Sequence, residues 1–483
     1  MFHRTVGRGC VGGHHARFFR SGRQFIGSIW MPTQMNADQM KLLSRTTPRY
    51  TSYPTAPNFE TGAGEELIDA LIKNANSNGP ASLYLHVPYC DRLCWFCGCH
   101  TKQIRRYEPV AKYVETLIGE MKLVRRSAGK PIRVSRIHWG GGSPSILRQA
   151  ESVALRSALE ENFLIADGAE VSVEVDPSDL ENADISALVA LGITRASIGV
   201  QDFDERVQSA INRPQSFEST KAAADRLRQA GVSSLNIDAL YGLPHQTTNT
   251  LRRTTELINE LRPDRIALFG YAHVPWLKKH QRLIPEDALP GIEERFAQAE
   301  AASTWFREFG YVAIGIDHFS LPGDELAKAM SEGRLRRNFQ GYTTDCCDTL
   351  IGLGASAISR SPQAYVQNLP PTSLYQSKIE AGELAALKGK RLSLDDQIRA
   401  LMIEDLMCNF SINVARLEEK FGDAANRYVE EMHMVANQRI PMLCRMTKTG
   451  LEMVEQMKPF VRLVAAEFDA YLTDQTQRFS KVV

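Results

Sequence analysis

The sequence has no run of apolar residues near the roughly 18 positions that a membrane-crossing helix needs, which excludes a helical span. It also lacks an excess of either charge. Lys plus Arg is 57 against 56 for Asp plus Glu, so no general attraction to nucleic acid or to an anionic membrane is expected. Cysteine is scarce: nine thiols among 483 residues cannot build a disulfide scaffold. Yet Cys90, Cys94, Cys97 and Cys99 share one short stretch, a crowding that favours metal binding in a reducing compartment. Acids are missing before Asp38, while Arg4, Arg8, Arg17, Arg20 and Arg23 are present. Residues 1–37 therefore read as a basic leader without the periodicity to fold, either an organelle transit peptide by composition or a disordered tail, with Met31 and Met35 as alternative starts.

What is present is a rhythm. A chain of 483 residues is expected to form two domains. From about 80 to 272, β-rich runs at 82–88, 134–139, 171–175, 196–200, 234–240 and 266–271 alternate with helical periodicity at 109–126, 145–163, 181–191, 218–230 and 248–261. This predicts an α/β fold of six βα units around a parallel sheet, an open or partial barrel. Residues 311–319 read as another strand and 333–348 as a polar loop. From 394 onward the pattern is mainly helical, at 397–407, 415–421 and 457–472. The expected organisation is a leader (1–37), an N-terminal segment near the active site (38–75), a catalytic domain (76–320), a connecting, substrate-side segment (321–375) and a helical C-terminal domain (376–483).

Polar residues recur where the expected strands end: His138 with Gly140 to Gly142, Glu174 with Asp176, Gln201 with Asp202, Asp238, and Tyr271 with His273. In parallel α/β architectures these ends form one rim, where sites are built. Five such positions imply one shared cavity, although each alone is also what an ordinary strand-to-loop transition looks like.

The cysteines follow the first strand. Cys90, Cys94 and Cys97, at i, i+4 and i+7, can converge on an iron–sulfur cluster. Three thiolates leave one iron of a four-iron cluster open to a small molecule. The alternative is structural zinc closed by Cys99 as fourth ligand. No second cysteine pair is suitably spaced, because Cys346 and Cys347 are adjacent and Cys408 and Cys444 stand singly.

This CxxxCxxC run resembles that of radical S-adenosylmethionine enzymes. A longer set of segments, Arg49 to Thr55, Cys90 to Cys99, His138 to Pro144, Gly199 to Phe203, Asn236 to Asp238 with Tyr241 to Pro244, and Asn338 to Thr343, resembles the oxygen-independent coproporphyrinogen III oxidase family. The likeness runs from about residue 40 to the C-terminus and includes Phe479 and Ser480. It implies a partial (β/α)6 barrel of the radical S-adenosylmethionine type with a smaller, mostly helical C-terminal domain. It implies a [4Fe-4S] cluster on Cys90, Cys94 and Cys97, with Cys99 as the additional cysteine of this family and not a ligand.

The resemblance also implies two molecules of S-adenosylmethionine. Tyr84, Glu174 and Ile358 would contact the first, and Phe96, Gly141, Gly142, Ser143, Gln201, Arg213, Asp238 and Ala272 the second, with the triple glycine assignable one position either way. These residue types suit the tasks. Glycine admits a close backbone approach, Glu174 and Asp238 accept hydrogen bonds, and Arg213 can clamp a carboxylate. Tyr84, His86 and Cys99 are the catalytic candidates, with His86 open to either proton handling or an ordinary core hydrogen bond.

The implied reaction is oxidative decarboxylation of two propionates of coproporphyrinogen III to vinyl groups by a 5′-deoxyadenosyl radical, giving protoporphyrinogen IX. The implied setting is a cytoplasmic monomer served by an electron donor such as flavodoxin or ferredoxin, without nucleic acid or membrane. A tetracarboxylate substrate should meet cations, for which Arg49, Arg336, Arg337 and His318 are candidates. The rival reading is a haem-binding chaperone of the same superfamily. Cys99 after Gly98, and the segment Arg49 to Tyr53, favour the oxidase.

Overall fold

The computed structural model describes residues 41–472 except 78 and 179; the basic leader, Phe479 and Ser480 lie outside the described residues. Its centre is β1 (Ala81–Val87), α1 (Glu108–Ala128), β2 (Ile132–Gly141), α2 (Gln149–Asn162), β3 (Phe163–Val175), α3 (Asn182–Ala190), β4 (Arg195–Gln201), α4 (Phe217–Gln229), β5 (Ser234–Tyr241), α5 (Thr248–Leu261) and β6 (Arg265–Gly270). The six strands are parallel neighbours in that order.

Alternation along each strand decides what faces where. Leu83, Leu85 and Val87 of β1, Ile137 and Trp139 of β2, Val171, Val173 and Val175 of β3, and Leu235, Ile237 and Ala239 of β5 join one core with the helices. The intervening Tyr84, His86, His138, Glu174 and Asp238 therefore stand on the opposite face. Helix signals match the chain. In α5, a Thr247 and Thr250 capping box begins the helix, Leu251, Ile258 and Leu261 are buried along one stripe, and Arg262 ends it in the left-handed region.

The sheet extends to thirteen strands. Leu350–Leu353 pairs parallel with β1, and Ile358–Ser361, Ala364–Asn368, Ala386–Arg391 and Glu60–Thr61 continue from it antiparallel. At the other edge, β6 pairs antiparallel with His318–Ser320. The result is an open mixed sheet, the partial barrel expected, with its two edges apart.

Three local expectations need correction. The single strand read at 311–319 is a hairpin, Val312–Ile314 against His318–Ser320, turning through Gly315 at φ +58°. The polar loop at 333–348 contains a second hairpin, Arg336–Asn338 against Gly341–Thr343. The C-terminal region is helical as expected, with Leu394–Asn409, Val414–Phe421, Asn426–Met434 and Val461–Ala466, but it adds a small sheet of Ser411–Asn413, Gly450–Met453 and Cys444–Met446.

This region has its own core, in which Leu42, Leu43, Tyr50 and Tyr53 pack with Leu406, Tyr428, Val464 and Phe468. Arg462 gives Nη2 to the Thr47 carbonyl at 2.6 Å and Nε to that of Pro48 at 3.1 Å, and Tyr50 donates to Asp469 at 3.0 Å. Among the described residues no helix is long and apolar enough to cross a membrane.

Candidate active site

The cysteine loop leaves the end of β1 and returns beside it, because Tyr89–Cys90 and Lys102–Gln103 pair in parallel. Its backbone is held by side chains from later in the chain. Asn212 Nδ2 donates to Leu93 O at 2.9 Å, Gln281 Nε2 to Phe96 O at 2.8 Å, His280 Nε2 to Cys97 O at 2.7 Å and Lys278 Nζ to Cys99 O at 2.9 Å. Each expected ligand sulfur has a polar neighbour. Cys90 Sγ meets Thr101 Oγ1 at 3.1 Å, Cys94 Sγ accepts from Arg213 Nη1 at 3.3 Å, and Cys97 Sγ accepts from the Cys99 N–H at 3.3 Å.

Cys94 is buried, Cys90 and Cys97 are half-buried and Cys99 is exposed. Burial pushes the Cys90 thiol up to about 12 and the Cys94 thiol upward, while a hydrogen bond shared between Cys97 and Cys99 holds Cys97 down, to about 7, and Cys99 up. Buried thiols of this kind ionise when a metal takes the proton's place, and three sulfurs form the soft donor set of an iron–sulfur cluster. The donor set therefore fits that group. Among the described residues, no three His, Cys, Asp or Glu side chains converge as a single ion requires. A zinc site completed by Cys99 would draw four sulfurs onto one ion, whereas cluster cysteines each bind a different iron.

Beside the loop, the Tyr84 hydroxyl donates to His86 Nδ1 at 2.9 Å and His86 Nε2–H donates to His100 O at 2.8 Å. Both ring nitrogens are occupied, and burial lowers His86 to about 4, so the imidazole is neutral at physiological pH. The Tyr84 ring stacks on His138 with centroids 5.9 Å apart and meets Phe339 edge-on at 4.8 Å. His138 bonds Ser172 Oγ at 2.6 Å and Glu174 Oε1 at 3.2 Å, and the Gly141 N–H donates to Glu174 Oε2 at 3.1 Å. Burial disfavours the charge on Glu174, but His138 and the Gly141 N–H outweigh it and hold the carboxyl below its ordinary value. The triple glycine is dictated by crowding. A Cβ on Gly141, at φ +115°, would lie 2.6 Å from the His86 ring, and one on Gly142 would lie 2.4 Å from the Tyr89 carbonyl oxygen.

The remaining rim is a polar network. Ser197 Oγ and Asn236 Nδ2 donate to Asp238 at 2.7 and 2.8 Å, with burial raising this carboxyl. Arg213 donates through Nη1 to Asp176 at 2.9 Å and through Nη2 to Gly199 O at 2.7 Å. Its buried Nε has no acceptor among the described residues. Gln201, at φ +68°, lies with Arg213 beside Gly199.

The Radical SAM superfamily matches residues 84–258 and the HemN C-terminal domain matches residues 392–441. The oxygen-independent coproporphyrinogen III oxidase of Paracoccus denitrificans is 43% identical over 441 residues, 91% of this chain and 98% of that protein. The chain belongs to the oxygen-independent coproporphyrinogen III oxidase family. The member of this family from Bradyrhizobium diazoefficiens is 44% identical over 440 residues, 90% of this chain and 97% of that protein. The solved structure of coproporphyrinogen III oxidase (HemN) from Escherichia coli, described as a radical SAM enzyme, has a TM-score of 0.84 at 35% identity and covers 90% of this chain and 99% of that one. A [4Fe-4S] cluster and S-adenosylmethionine are the cofactors that membership of this family implies.

For this oxidase-family chain, the structure brings Tyr84, His86, Gly141, Gly142 and Glu174 together beside the cysteine loop, with Arg213 on Cys94. Ser143 Oγ bonds Ser145 Oγ at 2.7 Å at the start of the following turn. Phe96 packs against the small core that includes Ile211, Leu243 and Tyr271, and Ala272 directly follows that tyrosine. Ile358 shares the wall of a small cavity with Phe339. Of the substrate candidates, Arg49, Arg337 and His318 line a larger cavity; Arg337 also reaches the small one, where Arg336 lies tied to Glu404 at 2.8 Å. Sequence reasoning missed Phe339 as a neighbour of Tyr84. It placed His138 on the rim without seeing that this residue orients Glu174; its position on the same strand face as Tyr84 was the available signal.

Proposed function

We propose that this chain oxidatively decarboxylates two propionates of coproporphyrinogen III to vinyl groups, giving protoporphyrinogen IX, in anaerobic haem biosynthesis. The observation that carries this reading is the clamped three-sulfur loop, set against the hydrogen-bonded carboxylate of Glu174 and a glycine cradle, in a chain of this family. Cys90, Cys94 and Cys97 would hold the [4Fe-4S] cluster, which would supply the electron that cleavage of S-adenosylmethionine requires. The glycines let backbone approach the methionine moiety, and Glu174 offers anionic oxygens to its ammonium group or ribose. Tyr84 and Ile358 complete the first site.

A second S-adenosylmethionine is held by Phe96, Gly141, Gly142, Ser143, Gln201, Arg213, Asp238 and Ala272. The Nε of Arg213, without an acceptor among the described residues, and the half-buried Asp238 support this, each having capacity left for a ligand. Tyr84, His86 and Cys99 act around the reaction centre, where burial keeps the Tyr84 hydroxyl protonated as a donor. The electron donor, a flavodoxin- or ferredoxin-like protein, reaches the loop at exposed Gly98 and Cys99, where Lys278 and His280 hold it and the exposed Leu277, Lys279 and Arg282 are their neighbours in sequence. Residues 76–320 are the catalytic unit, with 38–75 and 321–375 flanking the site; the strand Ala386–Arg391 still belongs to the main sheet, and the helical C-terminal domain follows it from Leu394. The chain acts as a cytoplasmic monomer, a compartment consistent with the free thiols among the described residues.

The test is anaerobic reconstitution with iron and sulfide, then addition of reductant, S-adenosylmethionine and coproporphyrinogen III. Protoporphyrinogen IX is the expected product, and equilibrium dialysis should give two S-adenosylmethionine molecules per chain. Deoxyadenosine formation without loss of carbon dioxide from the porphyrinogen overturns the reading.

A further inference from the structure

A cavity of about 860 Å³, a volume typical of small-molecule sites, lies between β6, the helix Ile292–Glu308, the hairpin after it and the C-terminal region. One part of its wall carries Arg49, Arg295, Arg337 and Arg462. They are close enough for the charge of Arg49 to weigh on Arg295 and Arg462, and that of Arg337 on Arg49. Asp317 is the carboxylate among them, and it already accepts from His318 Nδ1 at 2.6 Å and lies 3.5 Å from Arg337 Nη2. Other acids on the wall are answered separately, Asp405 by Arg416, Glu455 by Lys458 and Glu300 by the charge of Arg307, which also lines the wall. The arginine group therefore carries positive charge in excess of its acids.

The guanidinium groups are anchored by one edge. Arg49 Nη2 donates to Gly270 O and Arg295 Nη2 to Tyr271 O, each at 2.7 Å. Buried Arg337 keeps Nε and Nη1, and Arg295 keeps Nε, without an acceptor among the described residues. Folded chains rarely leave buried guanidinium N–H groups unmet, and planar forks of this kind match carboxylates. Arg337 also lies on the wall of the small cavity that contains Phe339 and Ile358, and Phe339 touches Tyr84. The arginine cavity thus adjoins the face on which Tyr84 stands.

We propose that this cavity binds the carboxylates of the two substrate propionates that are not decarboxylated, and thereby presents the other two toward Phe339 and Tyr84. The proposal rests on the decarboxylase reading above and adds to it which residues select the substrate. Arg295 and Arg462, neither marked by the sequence, are specificity-determining residues with Arg49 and Arg337.

The probe is coproporphyrin III, the stable oxidised porphyrin with the same four carboxylates, titrated by fluorescence into the reconstituted protein. Arg49→Gln and Arg295→Gln should each weaken binding about tenfold or more, with Arg→Lys at either position recovering part of it. Thermal unfolding of each variant is recorded in parallel. Should a variant fail to fold, the wild-type protein still decides. Protoporphyrin IX, which keeps only the two spared propionates, should compete with coproporphyrin III, and its dimethyl ester should not. An ester that competes equally, or folded Gln variants with unchanged affinity in a protein that decarboxylates coproporphyrinogen III, overturns the cavity assignment and leaves the reaction standing. Loss of affinity in the variants, in a protein that binds the porphyrin but does not decarboxylate the porphyrinogen, keeps the carboxylate site and overturns the reaction. A wild-type protein that neither binds nor reacts overturns both.

Discussion

A methyl group on Gly142 would stand 2.4 Å from the carbonyl oxygen of Tyr89, the residue before the first cysteine of the loop. Because that oxygen already accepts the Ser143 N–H at 2.8 Å, the strand end has no room to retreat. Gly142→Ala should cost about 1–3 kcal/mol of stability, as overpacking does, and should lower iron bound per chain after reconstitution; thermal unfolding and an iron assay check both. A second residue gives a pH signature. Glu120 accepts from the Gly354 N–H, Asn368 Nδ2 and Tyr375 OH, yet burial outweighs these bonds and raises its carboxyl from 4.5 to about 7. The folded chain then holds this proton more tightly than the unfolded chain. The contribution of Glu120 to stability accordingly falls as pH rises from about 4.5 through 7, by on the order of 3 kcal/mol in full. Denaturant unfolding at pH 5 and pH 8 should show that slope shrinking in Glu120→Gln, whatever constant offset the lost hydrogen bond adds.

The short segment after β6 behaves as a bracket on the cysteine loop. Buried Gln281 accepts the Val274 N–H at 2.6 Å through Oε1 and donates to Phe96 O at 2.8 Å through Nε2, so one side chain ties two loops. Gln281→Ala should cost about 1–3 kcal/mol through the two unmet backbone groups and should speed cluster loss to a chelator several-fold, read from the decay of cluster absorbance. Elements of this length mark the limit of what sequence reveals. The six parallel strands were legible because five or more residues of β-rich composition stand between helices with clear apolar stripes, and Cys90, Cys94 and Cys97 were legible because their spacing is itself the chemistry. The hairpin Arg336–Asn338 with Gly341–Thr343 was not, since three residues are too few to display a period of two. Arg295 and Arg462 were invisible for another reason. An arginine on a helix usually marks solvent, and only the packing of the C-terminal region against Ile292–Glu308 encloses these two.

Two of the hydrophobic cores are large, and the second of these takes residues from both ends of the described chain. Leu43 is fully buried there, so Leu43→Ala should cost about 2–5 kcal/mol. Hydrogen exchange should rise in Val461–Ala466 and Leu394–Asn409 while β2 to β5 stay protected, because the latter belong to the other core. The tie between Tyr50 and Asp469 spans 419 positions of sequence, and it bears on the order in which a growing chain acquires its parts. Synthesis runs from the N-terminus, so the cysteine loop and its bracket at Lys278 to Gln281 are complete while residues 42–53 still await their partners. Arg49 comes from that waiting segment and Arg462 from the helix that finally meets it. A chain released early therefore owns the place for a cluster and lacks a finished wall for a substrate, which makes the arginine cavity the last part of the enzyme to exist.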